Sequence, residues 1–281
     1  MAFKIANKQA FTSDGIPYMW NSGDTTTAPN SENEIVSSDL STLDLFGYSI
    51  AIHSTRVVVG VTGDDDNGSA SGSAYIFDLN GSQLHKLTAS DGVANDSFGW
   101  SVAIGNGIIA VGAPFTSSGG AVYLYDFSGT EVVKISGDDT AASDSFGYSI
   151  AINDDKVFVG ARGHNSSAGA VYAFNLTGTQ LFKIDRASSL ELGTSIAAKN
   201  KKIVIGTSGG DSVFLYSTDG IFIRTITSFD YASNDAYGYS VSISDGRIVV
   251  GAPQDDDNSL ASSGSAYIYD YEGSLVKKNN F

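Results

Sequence analysis

From Trp100 to Ile104 the chain alternates large and small: Trp100, Val102 and Ile104 fall on one parity, Ser101 and Ala103 on the other. A period of two is the signature of a strand, whose successive side chains point to opposite faces. Tyr148–Ile152 repeats the split, with Tyr148, Ile150 and Ile152 against Ser149 and Ala151. A sheet that is bulky on one face and shallow on the other packs against copies of itself. No segment shows a convincing period of 3.6. Short aromatic and β-branched runs alternate with Gly-rich turns instead, which predicts an all-β chain.

The alternating strand is one part of a longer repeat. Phe46-Gly47, Phe98-Gly99, Phe146-Gly147, Leu192-Gly193 and Tyr237-Gly238 are spaced by 52, 48, 46 and 45 residues. Fourteen residues after each first member stands another glycine, at Gly60, Gly112, Gly160, Gly206 and Gly251. An aromatic run follows ("SAYIFD", "AVYLYD", "AVYAFN", "VFLYS", "SAYIYD"), then a turn ending in Gly, then a short last strand such as "EVVKI". Each unit thus holds four strands, a to d. Units of this length in tandem predict a β-propeller of four-stranded antiparallel blades, each burying its faces against its neighbours.

Five repeats are clear, over about 45–92, 93–140, 141–187, 188–231 and 232–281. Residues 1–44 form an N-terminal segment. In it "PYMWNSG" (17–23) echoes strand c with its turn, and "NEIVSSD" ending at Asp39 echoes strand d. Six blades, the first degenerate, are therefore expected. The alternative is five blades and an N-terminal arm, which Pro17 within the proposed strand favours.

The Phe-Gly and Gly-Ala-Pro landmarks resemble the FG-GAP repeat family, best known from the integrin α-subunit propeller, and more closely its bacterial and phage subtype. The likeness covers roughly residues 39–278. Gly-Ala-Pro is intact only at Gly112-Ala113-Pro114 and Gly251-Ala252-Pro253, and the fourth repeat is the most worn. The family's integrin-type calcium loop lies between strands a and b. Here that turn is only "HST", "GNG", "NDD" or "SDG", so the resemblance carries no calcium site over.

Net charge of −15 and a pI near 4.3 disfavour nucleic acid and anionic membranes as partners. The absence of Cys removes disulfide, thiolate-metal and Cys-nucleophile chemistry. The first eleven residues hold no apolar run of signal-peptide length. His53, His85 and His164 fall at different repeat positions, and Ser49, Ser101, Ser149, Ser195 and Ser240 sit on the small face as packing residues. Lys199, Lys201 and Lys202 make a solvated turn, and the sequons at Asn67, Asn80, Asn165 and Asn175 carry no export context.

Acidic residues are the remaining candidates. Asp39, Asp91, Asp139, Asp185 and Asp230 stand seven residues before the Phe-Gly position, and Asp44, Asp96, Asp144 and Asp235 stand two before. Asp commonly caps turns by accepting backbone N–H bonds, and that role is expected of both sets. Asp64, Asp65 and Asp66, with Asp255, Asp256 and Asp257, lie in two acidic loops. Consecutive Asp residues lack the alternate spacing of an EF-hand loop, so solvated loops with no bound cofactor are expected, and a weak cation site on these residues, calcium at most, is the alternative.

No catalytic constellation emerges, and no catalytic or cofactor-binding residue is assigned. A rigid disc with variable loops is a recognition or assembly platform. The expectation is a non-enzymatic structural protein of a bacteriophage virion, in a tail fibre, head fibre or neck appendage, serving host-surface adhesion or decoration. Its partners would be other virion proteins and a host surface glycan or protein, within a symmetric oligomeric assembly, with no membrane insertion. The loops at 61–72 and 252–264 are the expected contact surfaces. Alternatives are a bacterial extracellular or cell-surface adhesion module, and a propeller glycosidase.

Overall fold

In every repeat the four strands pair in chain order and antiparallel, with tight turns joining strands a to b and c to d and a longer loop joining b to c in most blades. The computed structural model describes residues 34–186, 190–210, 212–229, 235–244, 246–256 and 261–280. The echo of strand c at 17–23 lies outside the described residues.

Blade 1 comprises β1 (Phe46–His53), β2 (Arg56–Val61), β3 (Ser73–Asp78) and β4 (Gln83–Leu87). Blade 2 comprises β5 (Ser101–Gly105), β6 (Ile108–Ala113), β7 (Ala121–Asp126) and β8 (Glu131–Ile135). Blade 3 comprises β9 (Phe146–Asn153), β10 (Lys156–Ala161), β11 (Ala170–Asn175) and β12 (Gln180–Asp185). Blade 4 comprises β13 (Ser195–Lys199), β14 (Lys202–Gly206), β15 (Ser212–Ser217) and β16 (Phe222–Thr227). Blade 5 comprises β17 (Ser240–Ser244), β18 (Arg247–Ala252), β19 (Ser265–Asp270) and β20 (Leu275–Asn280). One four-residue helical turn, α1 (His164–Ser167), interrupts the all-β pattern, with Asn165 and Ser166 in the left-handed region.

The turns explain the register. Between β5 and β6, Asn106 and Gly107 take φ values of 49° and 81°, the paired positive angles of a hairpin turn whose twist matches its strands. Between strands c and d, the Asp78 carboxylate accepts the backbone N–H of Asn80 at 2.9 Å and of Ser82 at 2.8 Å. Asp126, Asn175 and Asp270 do the same in blades 2, 3 and 5.

The inner strands β1, β5, β9, β13 and β17 lie side by side in that order, and the core forms between blades rather than within them. Between blades 1 and 2, Val58, Ala74, Ile76 and Leu87 of one face meet Phe98, Ile104, Ile109, Val111, Tyr123 and Tyr125 of the next. The large-against-small packing expected from the alternation is therefore the blade interface.

A backbone lock joins each neighbouring pair. Ser49 Oγ donates to the carbonyl oxygen of Gly99 at 2.7 Å, Ser101 to Gly147 at 2.7 Å, Ser149 to Gly193 at 2.6 Å and Ser195 to Gly238 at 2.8 Å. The small-face serines thus donate across the interface as well as fill space. Directly behind each serine lies the strand-b glycine. A Cβ on Gly60, Gly112, Gly160 or Gly206 would fall well under 3.0 Å from that same carbonyl oxygen. The two recurring glycines at each of these four junctions are thus explained together: one presents its carbonyl, and the other leaves room for it.

Candidate functional site

Three side chains recur as a cluster where the chain passes from one blade to the next, and in blades 1, 3 and 5 a residue of the b–c loop joins them. In blade 2 the linker residue Asp91 accepts from Tyr123 Oη at 2.7 Å and from Lys134 Nζ at 2.6 Å. In blade 3 Asp139 accepts from Tyr172 Oη at 2.7 Å and Lys183 Nζ at 2.7 Å. In blade 1 Asp39 accepts from Tyr75 Oη at 2.7 Å and Lys86 Nζ at 2.8 Å. The Asp seven residues before Phe-Gly is thus not a turn cap. It is the acceptor for a strand-c tyrosine and a strand-d lysine, and the lysine also lies 5.1–5.8 Å from the centroid of the tyrosine ring, as Lys278 does over Tyr267 in blade 5.

The fourth member comes from the b–c loop, and it absorbs the acidic loops. Asp64, nearly fully buried, lies 2.9 Å from Lys86 Nζ and accepts from Ser73 Oγ at 2.9 Å. Asp66 reaches the same ammonium at 2.6 Å, while Asp65 turns away to accept the backbone N–H of Ala70 at 2.8 Å. Asp255 repeats the role of Asp64, meeting Lys278 Nζ at 3.1 Å and Tyr267 Oη at 2.5 Å. Asp256 accepts the Ser262 N–H at 2.6 Å, and Asp257 lies outside the described residues. Of the carboxylates on these two loops, Asp64 and Asp66 pair with Lys86 and Asp255 pairs with Lys278. Among the described residues no three His or carboxylate side chains converge as a metal set. In blade 3 the corresponding residue is His164, with Nδ1 2.8 Å from Asp144 Oδ2 and Nε2 3.3 Å from Lys183 Nζ.

Among the described residues blade 4 lacks the cluster. Asp185 has the right spacing in sequence but lies in β12 itself, 3.0 Å from Lys183. The expected tyrosine is Phe214, and the Arg186 guanidinium stacks over it at 4.2 Å. Asp230 lies outside the described residues. The Asp two residues before Phe-Gly does cap a turn, as expected. Asp44, Asp96 and Asp144 accept the backbone N–H three residues earlier, at 2.6, 2.9 and 2.9 Å.

The clusters carry a pH signature. The hydrogen bond from Lys134, then that from Tyr123, hold the Asp91 carboxyl below its ordinary value of 3.8 against the opposing effect of burial; Lys183 and Tyr172 do the same for Asp139. Depressed folded-state values mean stability that is present above pH 3.8 and lost as pH falls through those lower values. Urea denaturation at pH 5 and pH 3 is therefore expected to show a smaller acid-dependent loss in Lys134→Met than in the unchanged protein, because one depressed carboxylate is relaxed.

The b–c loops are clasps between blades. Loop 61–72 folds on its own backbone and accepts amides of the following linker, from Asn95 to Ser69 at 2.8 Å and from Phe98 to Ser71 at 2.9 Å. Loop 114–120 and the α1 loop clasp the next linkers through Phe146 N–H to Gly119 at 2.8 Å and Glu191 N–H to Ser167 at 2.9 Å. Loop 61–72 thus spends much of its polar backbone inside the protein, and loop 252–264 is described only in part.

What these clasps surround is an aromatic array on the face where strands a begin. Tyr48, Trp100 and Tyr148 directly follow the Phe-Gly pairs of blades 1 to 3. Their rings meet in sequence, tilted at 44° and 46°, with centroids 4.8 Å apart for Tyr48–Trp100 and 5.4 Å for Trp100–Tyr148. Phe115, from the blade 2 loop, meets Trp100 edge-on at 4.8 Å. Arg162, from the blade 3 loop, lies over Tyr148 at 4.1 Å and 3.8 Å from Glu191. Burial, and then the charges of Tyr148 and Tyr239, push the Tyr48 phenol up. Tyr48, Phe115 and Tyr239 are each about half exposed (45%, 44% and 50%) despite this company. At the other end of the inner strands the a–b turns gather His53, Asn106, Asp154, Asp155, Lys199 and Asn200 around a polar mouth. Lys202, by contrast, is no part of a free basic turn, since it donates to the Tyr271 carbonyl at 2.6 Å and pairs with Glu272 at 2.8 Å.

The aromatic array was not legible as such in the sequence. Its signal was present in the residue after each Phe-Gly pair, which is Tyr, Trp, Tyr, Thr and Tyr in the five repeats. A recognition surface is the chemistry it offers, with ring faces for apolar contact, phenol and indole edges for hydrogen bonds, and one guanidinium.

A family model described as FG-GAP repeat matches residues 29–77, 82–125, 130–174 and 222–269, together more than half of the chain. The last three matches open at β4, β8 and β16, so the family's unit runs from strand d of one blade through strand c of the next. A search of curated proteins finds no match.

Proposed function

Because this chain belongs to the FG-GAP repeat family, whose propellers are adhesion and recognition modules and generally not enzymes, we propose that its aromatic mouth binds a host-surface glycan. The protein carrying it is a structural component of a bacteriophage virion, set in a tail fibre, head fibre or neck appendage. The observation that carries the reading is the row of Tyr48, Trp100 and Tyr148, with Tyr48 and Phe115 about half exposed and Arg162 beside them.

Sugar rings present apolar C–H faces and equatorial hydroxyls, which aromatic faces and a neighbouring guanidinium recognise together. The array also costs little entropy to order. Each ring is seated by the backbone locks beneath it and by the clasp loops around it, so affinity is not spent on arranging the site. An acidic surface elsewhere suits a particle protein that must stay soluble at high local concentration. Other virion proteins would hold the polar mouth or the rim, in a symmetric assembly.

Binding of the full chain to a printed glycan array is the direct test. Trp100→Ala is expected to weaken any bound glycan by about 10-fold or more, since it removes the ring shared by three neighbours, at about 1.4 kcal/mol per tenfold. Binding unaffected by Trp100→Ala would displace the site from this mouth. Immunogold microscopy of particles from the source addresses the virion. Label on a tail, neck or capsid supports it, and label on cell envelopes supports a bacterial adhesion module instead.

A further inference from the structure

Beside the aromatic mouth the repeat pattern breaks toward polar side chains at three repeat positions together. The residue after the Phe-Gly pair is Tyr48, Trp100, Tyr148 and Tyr239 in four repeats but Thr194 in the fourth. The residue before the pair is Leu45, Ser97, Ser145 and Ala236 in those four but Glu191 in the fourth. All five of these preceding residues take a positive φ, from 52° to 60°, so the fourth repeat holds a carboxylate on the same left-handed corner of backbone. The third position of Gly-Ala-Pro is Thr62, Pro114 and Pro253 in three repeats, and Arg162 and Ser208 in the third and fourth. The blade junction does not require these replacements, because Ser149 and Ser195 still donate to Gly193 and Gly238 on either side of them.

The replacements meet one another. Ser208 Oγ donates to Glu191 Oε2, and Thr194 Oγ1 donates to the Glu191 carbonyl oxygen at 2.8 Å while lying 3.1 Å from Ser208 Oγ. Where Tyr48 stands half exposed in the first repeat, Thr194 is buried in the fourth. Arg162 lies over the Tyr148 ring at 4.1 Å and 3.8 Å from Glu191 Oε2. That gap is too long for a hydrogen bond, and Arg162 donates to no acceptor among the described residues. The two side chains are about equally open to solvent, at 35% and 34%. The pair thus presents a planar set of free donors beside an acceptor that Ser208 already orients.

On the glycan reading of the mouth, on which this depends, we propose that Arg162 and Glu191 form its polar subsite, and that the sugar read there is uncharged and presents two adjacent hydroxyls. A hydroxyl can both accept and donate. One of the adjacent pair accepts from the guanidinium and the other donates to the carboxylate, while the sugar's apolar face lies on the aromatic row. A carboxylated sugar suits the subsite poorly. Its anion would gain Arg162 but meet Glu191 only 3.8 Å from that cation, on a chain of net charge −15. An apolar ligand would cover the rings and leave both charged groups desolvated without partners. Affinity then comes from the rings of the first three repeats, and selectivity from the polar break between the third and the fourth.

A printed array of neutral, sialylated and uronic-acid glycans, probed with the full chain at low and high salt, tests this. The expected binders are neutral, with affinity that salt changes by less than about twofold. Glu191→Gln removes the charge and keeps the shape, and is expected to weaken the bound glycan about 10-fold; Arg162→Lys loses the planar fork and should cost about as much. Monodeoxy forms of that glycan carry the finer readout. Removing the hydroxyl that meets Glu191 should weaken binding to the unchanged protein about 10-fold and to Glu191→Gln far less, a coupling that a mere clasp between blades 3 and 4 does not produce. In the unchanged protein the two largest losses should come from adjacent positions, a readout that needs no variant to fold. Losses at separated positions, or a neutral glycan bound equally well by Glu191→Gln, would overturn the subsite. Acidic glycans bound in a salt-sensitive and Trp100-dependent way would overturn it too, and leave the mouth standing. No glycan bound, or binding indifferent to Trp100→Ala, would remove the mouth itself as the site and the subsite with it.

Discussion

Gly160→Val should cost about 3 kcal/mol or more, at or beyond the upper end of what overpacking usually exacts. Its Cβ would fall well under 3.0 Å from both the Gly193 carbonyl oxygen and Ser149 Oγ. A side chain tip can move aside, but a carbonyl in the backbone of the next blade cannot without shifting that blade. The lock from Ser149 to Gly193 at 2.6 Å is lost in the same step. Chemical denaturation is expected to show a lower midpoint for Gly160→Val; a valine at the turn glycine Gly246 is not the relevant control, because its φ of 85° strains any side chain even though nothing lies within 4 Å of its Cβ position. Ser149→Ala is the informative partner. It removes the hydrogen bond without the clash and should cost only about 1 kcal/mol.

Phe146→Ala is expected to be comparably severe, at about 3–5 kcal/mol by urea denaturation, the usual range for emptying a buried aromatic site. Phe146 is fully buried, edge-on to Tyr172 at 5.4 Å and to Phe174 at 5.9 Å. The repeat itself suggests a finer experiment at the same place. In blade 5 the corresponding pair is Tyr237 and Tyr269, whose hydroxyls meet at 2.6 Å. Phe146→Tyr alone places a hydroxyl against an apolar ring and should cost about 1–3 kcal/mol. Adding Phe174→Tyr supplies the partner, so the double variant should recover much of that loss, and a double-mutant cycle measures the coupling.

These two positions illustrate what a repeat makes readable. The Phe-Gly spacing, the strand-b glycine and the alternation of strand a are each local patterns, and together they specify blades, their strand order and the faces that meet. Five copies of one pattern act as an internal alignment, so a position whose chemistry is constant across copies is visible as structural. The serines and the Asp before each Phe-Gly pair were seen that way.

Partnership across blades was beyond the sequence, because nothing local encodes which copy's residue meets which. Asp91 is 32 residues from Tyr123 and 43 from Lys134, and only the stacked sheets bring them together. The acidic run Asp64-Asp65-Asp66 looked like one site, yet the turn of the loop sends the three carboxylates to different partners, and a lysine from strand d neutralises two of them. Spacing even misled at Asp185, where a shorter linker leaves an aspartate at the right count but within β12.

By itself, then, the sequence determined the blade: four strands, their order, their bulky and shallow faces, and the glycines that let one backbone approach another. Those are consequences of period, turn chemistry and residue size, which act within a few residues. Tertiary structure alone decided which carboxylates are neutralised by ammonium groups, that the b–c loops clasp the next linker, and that Tyr48, Trp100 and Tyr148, about fifty residues apart in sequence, meet ring to ring. The reason is that blade packing repeats a single geometry, so side chains at one repeat position converge in space however far apart they lie along the chain.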